Sequence, residues 1–194
     1  MKNAGRIILI VVVALLLMGS SVQAQLDANA DVEVYAEILD TITIDPTGAG
    51  TQDMDFSFGT SPQGGSAEIT LGLDGSLALN AAAGVDVFWN DTGTPAVVNV
   101  AGTASRAYVV EIGSTEVTRA VSTTAGTPSV TLTDGTDTLT VDRFLVEGNS
   151  FVNGGFQLDT GGIDTLTIGA VLTVPATVSV GNYEGDFNLT VSYE

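Results

Sequence analysis

The sequence contains no cysteine and no histidine. Without cysteine there is no disulfide framework, so an exported chain must draw its stability from an apolar core. Attachment of lipid to a cysteine is excluded for the same reason. Without histidine there is no Ser-His-Asp triad, no imidazole base and no zinc site with His ligands. Lysine occurs once, at Lys2. A lysine nucleophile, or a Lys–Asn crosslink of the kind that braces some pili, is therefore unavailable to the rest of the chain. Proline is sparse, and cations are few: five Lys and Arg stand against 23 Asp and Glu.

The only long apolar run is at the start. Residues 7–18, IILIVVVALLLM, follow Lys2 and Arg6, and GSSVQA then places Val22 and Ala24 at the −3 and −1 positions of a signal-peptidase site. A bilayer-spanning helix needs about 20 apolar residues, so the run reads as a cleaved signal peptide over 1–24 and not as an anchor. The expectation is export through the periplasm to the outside or the cell surface, with no membrane association after cleavage. Beyond residue 24 only Arg106, Arg119 and Arg143 remain as cations, so the mature charge is 3 − 23 = −20. Nucleic acid and anionic membrane surfaces need a basic face, and neither is an expected partner.

What remains reads as β. Thr, Val and Gly dominate, and no stretch carries a helical apolar period. LDANADVEVYAEI (26–38) alternates, with Val32, Val34, Ala36 and Ile38 on one side. The phase slips at Leu39–Asp40, and Ile42 and Ile44 resume it, as at a bulge. DMDFSFG predicts a short strand ending at Gly59. GSAEITLGL and SLALNAA predict a hairpin turning at Asp74–Gly75, and SVTLTDGTDTLTVDRFLV a second one turning at Asp134–Gly135. VDVFW, AVVNVAG, RAYVVEI, FQLDTGGIDTLTI, AVLTVPATVSVG and the terminal run complete the set. The spacing predicts an all-β, Ig-like or related antiparallel sandwich of eight to ten strands, with a small jelly roll or barrel as the alternative, in one domain over 25–194.

Chemistry is scarce. Asp-Thr-Gly occurs at 91–93 and 159–161, the motif of paired aspartyl loops. The chain is short for a two-lobed peptidase, and both copies sit among turn residues, so turns are the better reading. Asp53/Asp55, Asp134/Asp137 and Glu184/Asp186 are close pairs, but none has the ligand spacing of a known calcium loop. No catalytic residue, metal or cofactor is expected. Trp89 with the 90–94 loop is the one candidate for a glycan or surface-ligand site, and such an adhesin or binding module is the alternative to a structural role.

DFSFG (55–59), AVVNVAG (96–102), AYVVEI (107–112), TLTVDRF (138–144) and the end IGAVLTVPATVSVGNYEGDFNLTVSY resemble a family of bacterial secreted domains of unknown function, DUF4402. The resemblance implies a fold and secretion, and no reaction. The termini are also similar to chaperone–usher pilin subunits. Tyr193 is penultimate, and Gly181 is the fourteenth residue from the end. That resemblance implies a groove completed by β-strand addition. Val32, Val34, Ala36 and Ile38 would be donor plugs. Gly181, Tyr183, Phe187, Leu189, Val191 and Tyr193 would line the acceptor edge. The implied partners are further copies of the chain or related subunits, and a periplasmic chaperone.

Overall fold

The computed structural model describes residues 41–45, 48–56, 65–81, 92–119, 123 and 126–194. Among them are twelve strands and no helix. The first six are β1 (Thr43–Asp45), β2 (Ala67–Leu71), β3 (Leu77–Ala81), β4 (Ala96–Ala101), β5 (Ala107–Ile112) and β6 (Thr115–Val117). The others are β7 (Val130–Thr133), β8 (Thr138–Gly148), β9 (Phe151–Val152), β10 (Gly155–Gln157), β11 (Ile163–Val174) and β12 (Leu189–Tyr193). The excess over the expected eight to ten comes from β1, β6, β9 and β10. Each has only two or three residues, too few for an alternating pattern to stand out from the turns around it.

The strands make an antiparallel sandwich. The larger sheet has seven strands organised on β11, whose 12 residues run the height of the sheet. One side of β11 is shared: β4 pairs with its first half and β2 with its second. β8 pairs along the other side, with β7 beyond it. The smaller sheet has five strands, with β12 on one side of β5 and both β10 and β6 on the other. Between the sheets lie Val98, Val100, Tyr108, Val110, Phe144 and Leu166, with Ile168 and Leu172, all buried.

Both predicted hairpins form. Leu71 faces Leu77 across the first, where Asp74 Oδ1 accepts from the Ser76 backbone N–H (3.0 Å) and Gly75 takes φ +80. That left-handed conformation is one L side chains rarely adopt, so glycine is required there. Thr133 faces Thr138 across the second, where Asp134 Oδ1 accepts from the N–H groups of Thr136 and Asp137.

Three expectations need correction. FQLDTGGIDTLTI and AVLTVPATVSVG are not successive strands, because β11 runs unbroken from Ile163 to Val174. Gly169 allows this: any Cβ there would meet the Leu71 carbonyl oxygen of β2. The stretch ATVSVG is irregular, with Val178 buried and Val180 84% exposed. In DMDFSFG the described residues 53–56 make one isolated bridge, Asp55 to Thr94, while residues 57–59 lie outside the described ones. Residues 25–38, with Val32, Val34, Ala36 and Ile38, lie outside the described residues, as do Trp89, Asn90 and Asp91.

Candidate functional site

The terminal run behaves as its pattern requires, but it serves both sheets. Tyr183, Phe187, Leu189, Val191 and Tyr193 are half-buried against the core, while Glu184, Asp186, Asn188, Thr190, Ser192 and Glu194 are exposed. Glu184 bridges Thr133 of β7 in the larger sheet through two backbone hydrogen bonds, 2.9 and 3.1 Å. Five residues on, Leu189 begins β12 against β5 of the smaller sheet. The run therefore crosses from one sheet to the other. Phe187 packs on Phe144 during the crossing, with ring centroids 5.4 Å apart. At the far end the Tyr193 hydroxyl accepts from the Thr103 N–H at 2.6 Å. The expected acceptor residues thus fall into two groups. Tyr183, Phe187, Leu189, Val191 and Tyr193 share one face. Gly181 is exposed and precedes that face, closely packed on Asp134, where a Cβ would collide with the carboxylate.

Among the described residues β12 is an edge strand, and the side its unshared peptide groups face can be assigned. Gly113 N–H donates to Asn188 O (2.9 Å), and Glu194 N–H donates to Ala107 O (3.4 Å). The even-numbered peptide groups therefore point at β5. In an antiparallel ladder the peptide groups alternate sides, so those of Leu189, Val191 and Tyr193 point away from β5. Among the described residues β12 has no second partner strand. β1 comes near β12, yet it pairs only with β4. The margin between β1 and β12 is thus a seam of two strand edges that do not pair with each other.

A groove of about 930 Å³ opens at this seam. Ile44 of β1 and Leu189, the first residue of β12, line it, and the buried Ala96, Val98 and Val141 form its floor. Met54 and Phe56 line one wall; Val130, Leu132, Tyr183 and Phe187 line the other. Among the described residues its charged lining is Asp53, Glu184 and Asp186, all acidic. Several of these apolar side chains are only partly buried against the core, so the groove exposes apolar area in reach of a free backbone edge. Sequence reasoning found one wall, the terminal run. The floor and the Met54–Phe56 wall were missed, because nothing in a sequence says which stretch of a sheet's inner face its partner sheet fails to cover.

The carboxylates singled out in the sequence serve turns. Asp159 Oδ1 accepts from the N–H groups of Gly161 (2.7 Å) and Ile163 (2.9 Å), closing its own loop. Donation from the Asp137 and Thr136 N–H groups holds the Asp134 carboxyl below the usual range. Asp137 Oδ2 accepts from Ser179 N–H at 2.7 Å. Among the described residues no three acidic side chains gather as a metal site would require.

One carboxylate is different. Asp164 on β11 is 4% exposed. Its Oδ2 accepts from the Tyr108 hydroxyl at 2.6 Å, and its Oδ1 from the N–H groups of Asn149, Ser150 and Thr165 at 2.8, 3.0 and 2.8 Å. Tyr108 belongs to the other sheet and stacks on Phe156, so this bond ties the two layers through the core. Burial, reinforced by the hydrogen bond to Asp164 and its charge, pushes the Tyr108 hydroxyl pKa up. Each partner is satisfied, which makes the pair a structural clamp.

No curated protein and no solved structure matches the chain. A family model described as "Domain of unknown function (DUF4402)" matches residues 47–193, a span that takes in the groove's Met54–Phe56 wall, its floor and the terminal run, and the chain belongs to that family.

Proposed function

We propose that this is a secreted structural subunit, joined to its neighbours at the cell surface or in an extracellular filament by β-strand addition. The observation that carries the reading is an edge of β12 that pairs with no other described strand, beside a groove lined by apolar and acidic side chains. A strand entering there meets the outward peptide group of Leu189, and one continuing along β12 would meet those of Val191 and Tyr193. Its alternate side chains fill space lined by Ile44, Phe56, Val98 and Leu132. The proposed occupant is the run 25–38 of another copy, with Val32, Val34, Ala36 and Ile38 facing inward.

The run 25–38 precedes β1, which begins at Thr43, and its alternation offers apolar side chains at the spacing that strand addition uses. No catalysis is part of this role. A periplasmic chaperone would occupy the same edge before assembly.

Electron microscopy and gel filtration of the protein starting at Gln25 test the reading. Fibres or a ladder of oligomers are expected. Deletion of 25–37 should yield a stable monomer that no longer polymerises but binds a peptide of sequence 25–38. A truncated protein that still polymerises ends the donor-strand reading.

A further inference from the structure

We infer that occupation of the groove is gated by ionic strength, assembly being held back in dilute salt and released by screening. The inference rests on the strand-addition reading above and concerns what controls it.

The groove and its proposed occupant carry the same sign of charge. Asp53, Glu184 and Asp186 line the groove. If Val32, Val34, Ala36 and Ile38 enter, alternation puts Asp27, Asp31, Glu33 and Glu37 on the strand's outward face. These acids would lie beside the exposed side of the terminal run, where like charges directly opposite are destabilising. The chain has little to offset them. Arg119 is paired with Glu147, and Arg143 with Glu68 and Asp142; neither these arginines nor Arg106 lines the groove. Each approaching copy also carries a net charge of 3 − 23 = −20 beyond residue 24.

The attraction is of another kind and insensitive to dilute salt. Apolar burial and backbone hydrogen bonds act at contact, while the repulsion acts over the screening length. That length falls from about 30 Å at about 0.01 M salt to about 8 Å at about 0.15 M. Long-range fields of this kind change association rates by about tenfold to a thousandfold. Salt therefore speeds this assembly, the reverse of its effect on oppositely charged partners. Subunits would stay apart in a dilute compartment and join in a salty one.

The test measures light-scattering assembly rates of the protein starting at Gln25, at about 0.01 M and about 0.15 M NaCl, a change that contracts the screening length roughly fourfold. Two variants run beside it. One carries Asp53→Asn, Glu184→Gln and Asp186→Asn in the groove. The other carries Asp31→Asn, Glu33→Gln and Glu37→Gln on the donor run, outside the described sandwich. The wild type should speed up at least about tenfold with salt. Both variants should assemble faster in dilute salt, with a weaker salt response, each still carrying 3 − 20 = −17 beyond residue 24. A wild-type rate that ignores salt overturns the gating and leaves strand addition standing. So does a salt response undiminished in both variants. No assembly by any of the three at either concentration overturns the gating together with the reading beneath it.

Discussion

Four donors converge on the Asp164 carboxylate, and this is where single residues matter most. Asp164→Ala would leave the Tyr108 hydroxyl and three backbone N–H groups without their acceptor, at a cost of about 3 kcal/mol or more. Asp164→Asn keeps an acceptor oxygen and should cost less. Urea midpoints at neutral pH would rank them. Tyr108 adds a pH signature. Its folded-state pKa lies above its ordinary value of 10.0. The folded protein keeps this proton when the unfolded chain has lost it. The Tyr108 contribution is therefore complete below about pH 10 and declines as pH rises beyond it, by up to about 1.4 kcal/mol per unit. Tyr108→Phe should lower stability at neutral pH and flatten that alkaline decline; an unchanged alkaline slope would refute the assignment. Of this clamp only the inward placement of Asp164 was legible, since it is in phase with Leu166 and Ile168; its partner on the other sheet was not.

At the scale of elements, alternation gave strand positions wherever one face is dry and the other wet. It located the two hairpins and the inward set of the terminal run. It failed where the chain departs from period two. In β8, Leu139 and Val141 are buried, and then Phe144 and Val146. The phase changes because the two residues Arg143 and Phe144 oppose one residue of β11, with Arg143 at φ +50. That bulge turns Arg143 outward, where it meets Glu68 at 2.6 Å and Asp142 at 3.0 Å. The shift was present in the letters and was overlooked. The length of β11 was not readable, because Gly169 resembles a break until the Leu71 carbonyl beside it is seen. Gly169→Ala should force β2 and β11 apart and cost about 2 kcal/mol or more, read as a lowered melting temperature. Tyr193→Phe removes one hydrogen bond, to Thr103, and should cost about 1 kcal/mol.

At the scale of the whole molecule, charge is the dominant fact, and composition alone revealed it. A net charge of −18 for the full chain works against compaction, because folding brings like charges together. The monomer lacking 25–37, which removes assembly from the measurement, should melt at a higher temperature as salt rises from dilute to physiological. A melting point that falls with salt would show that the ion pairs of Arg119 and Arg143 outweigh the repulsion. Composition also disclosed the all-β class and the reliance on a core without disulfides. It could not disclose the groove, which forms where segments far apart in sequence meet.

The crossing of the terminal run from β7 to β5 has a mechanical consequence. A pull along β12 cannot peel that strand from its ladder one hydrogen bond at a time. The bonds to β5 lie across the pull and are loaded together, in shear. Upstream, the tension reaches the Glu184–Thr133 bridge and so the larger sheet. Both layers then share the load, and the last residues of the chain become a tether that yields only when the sandwich does.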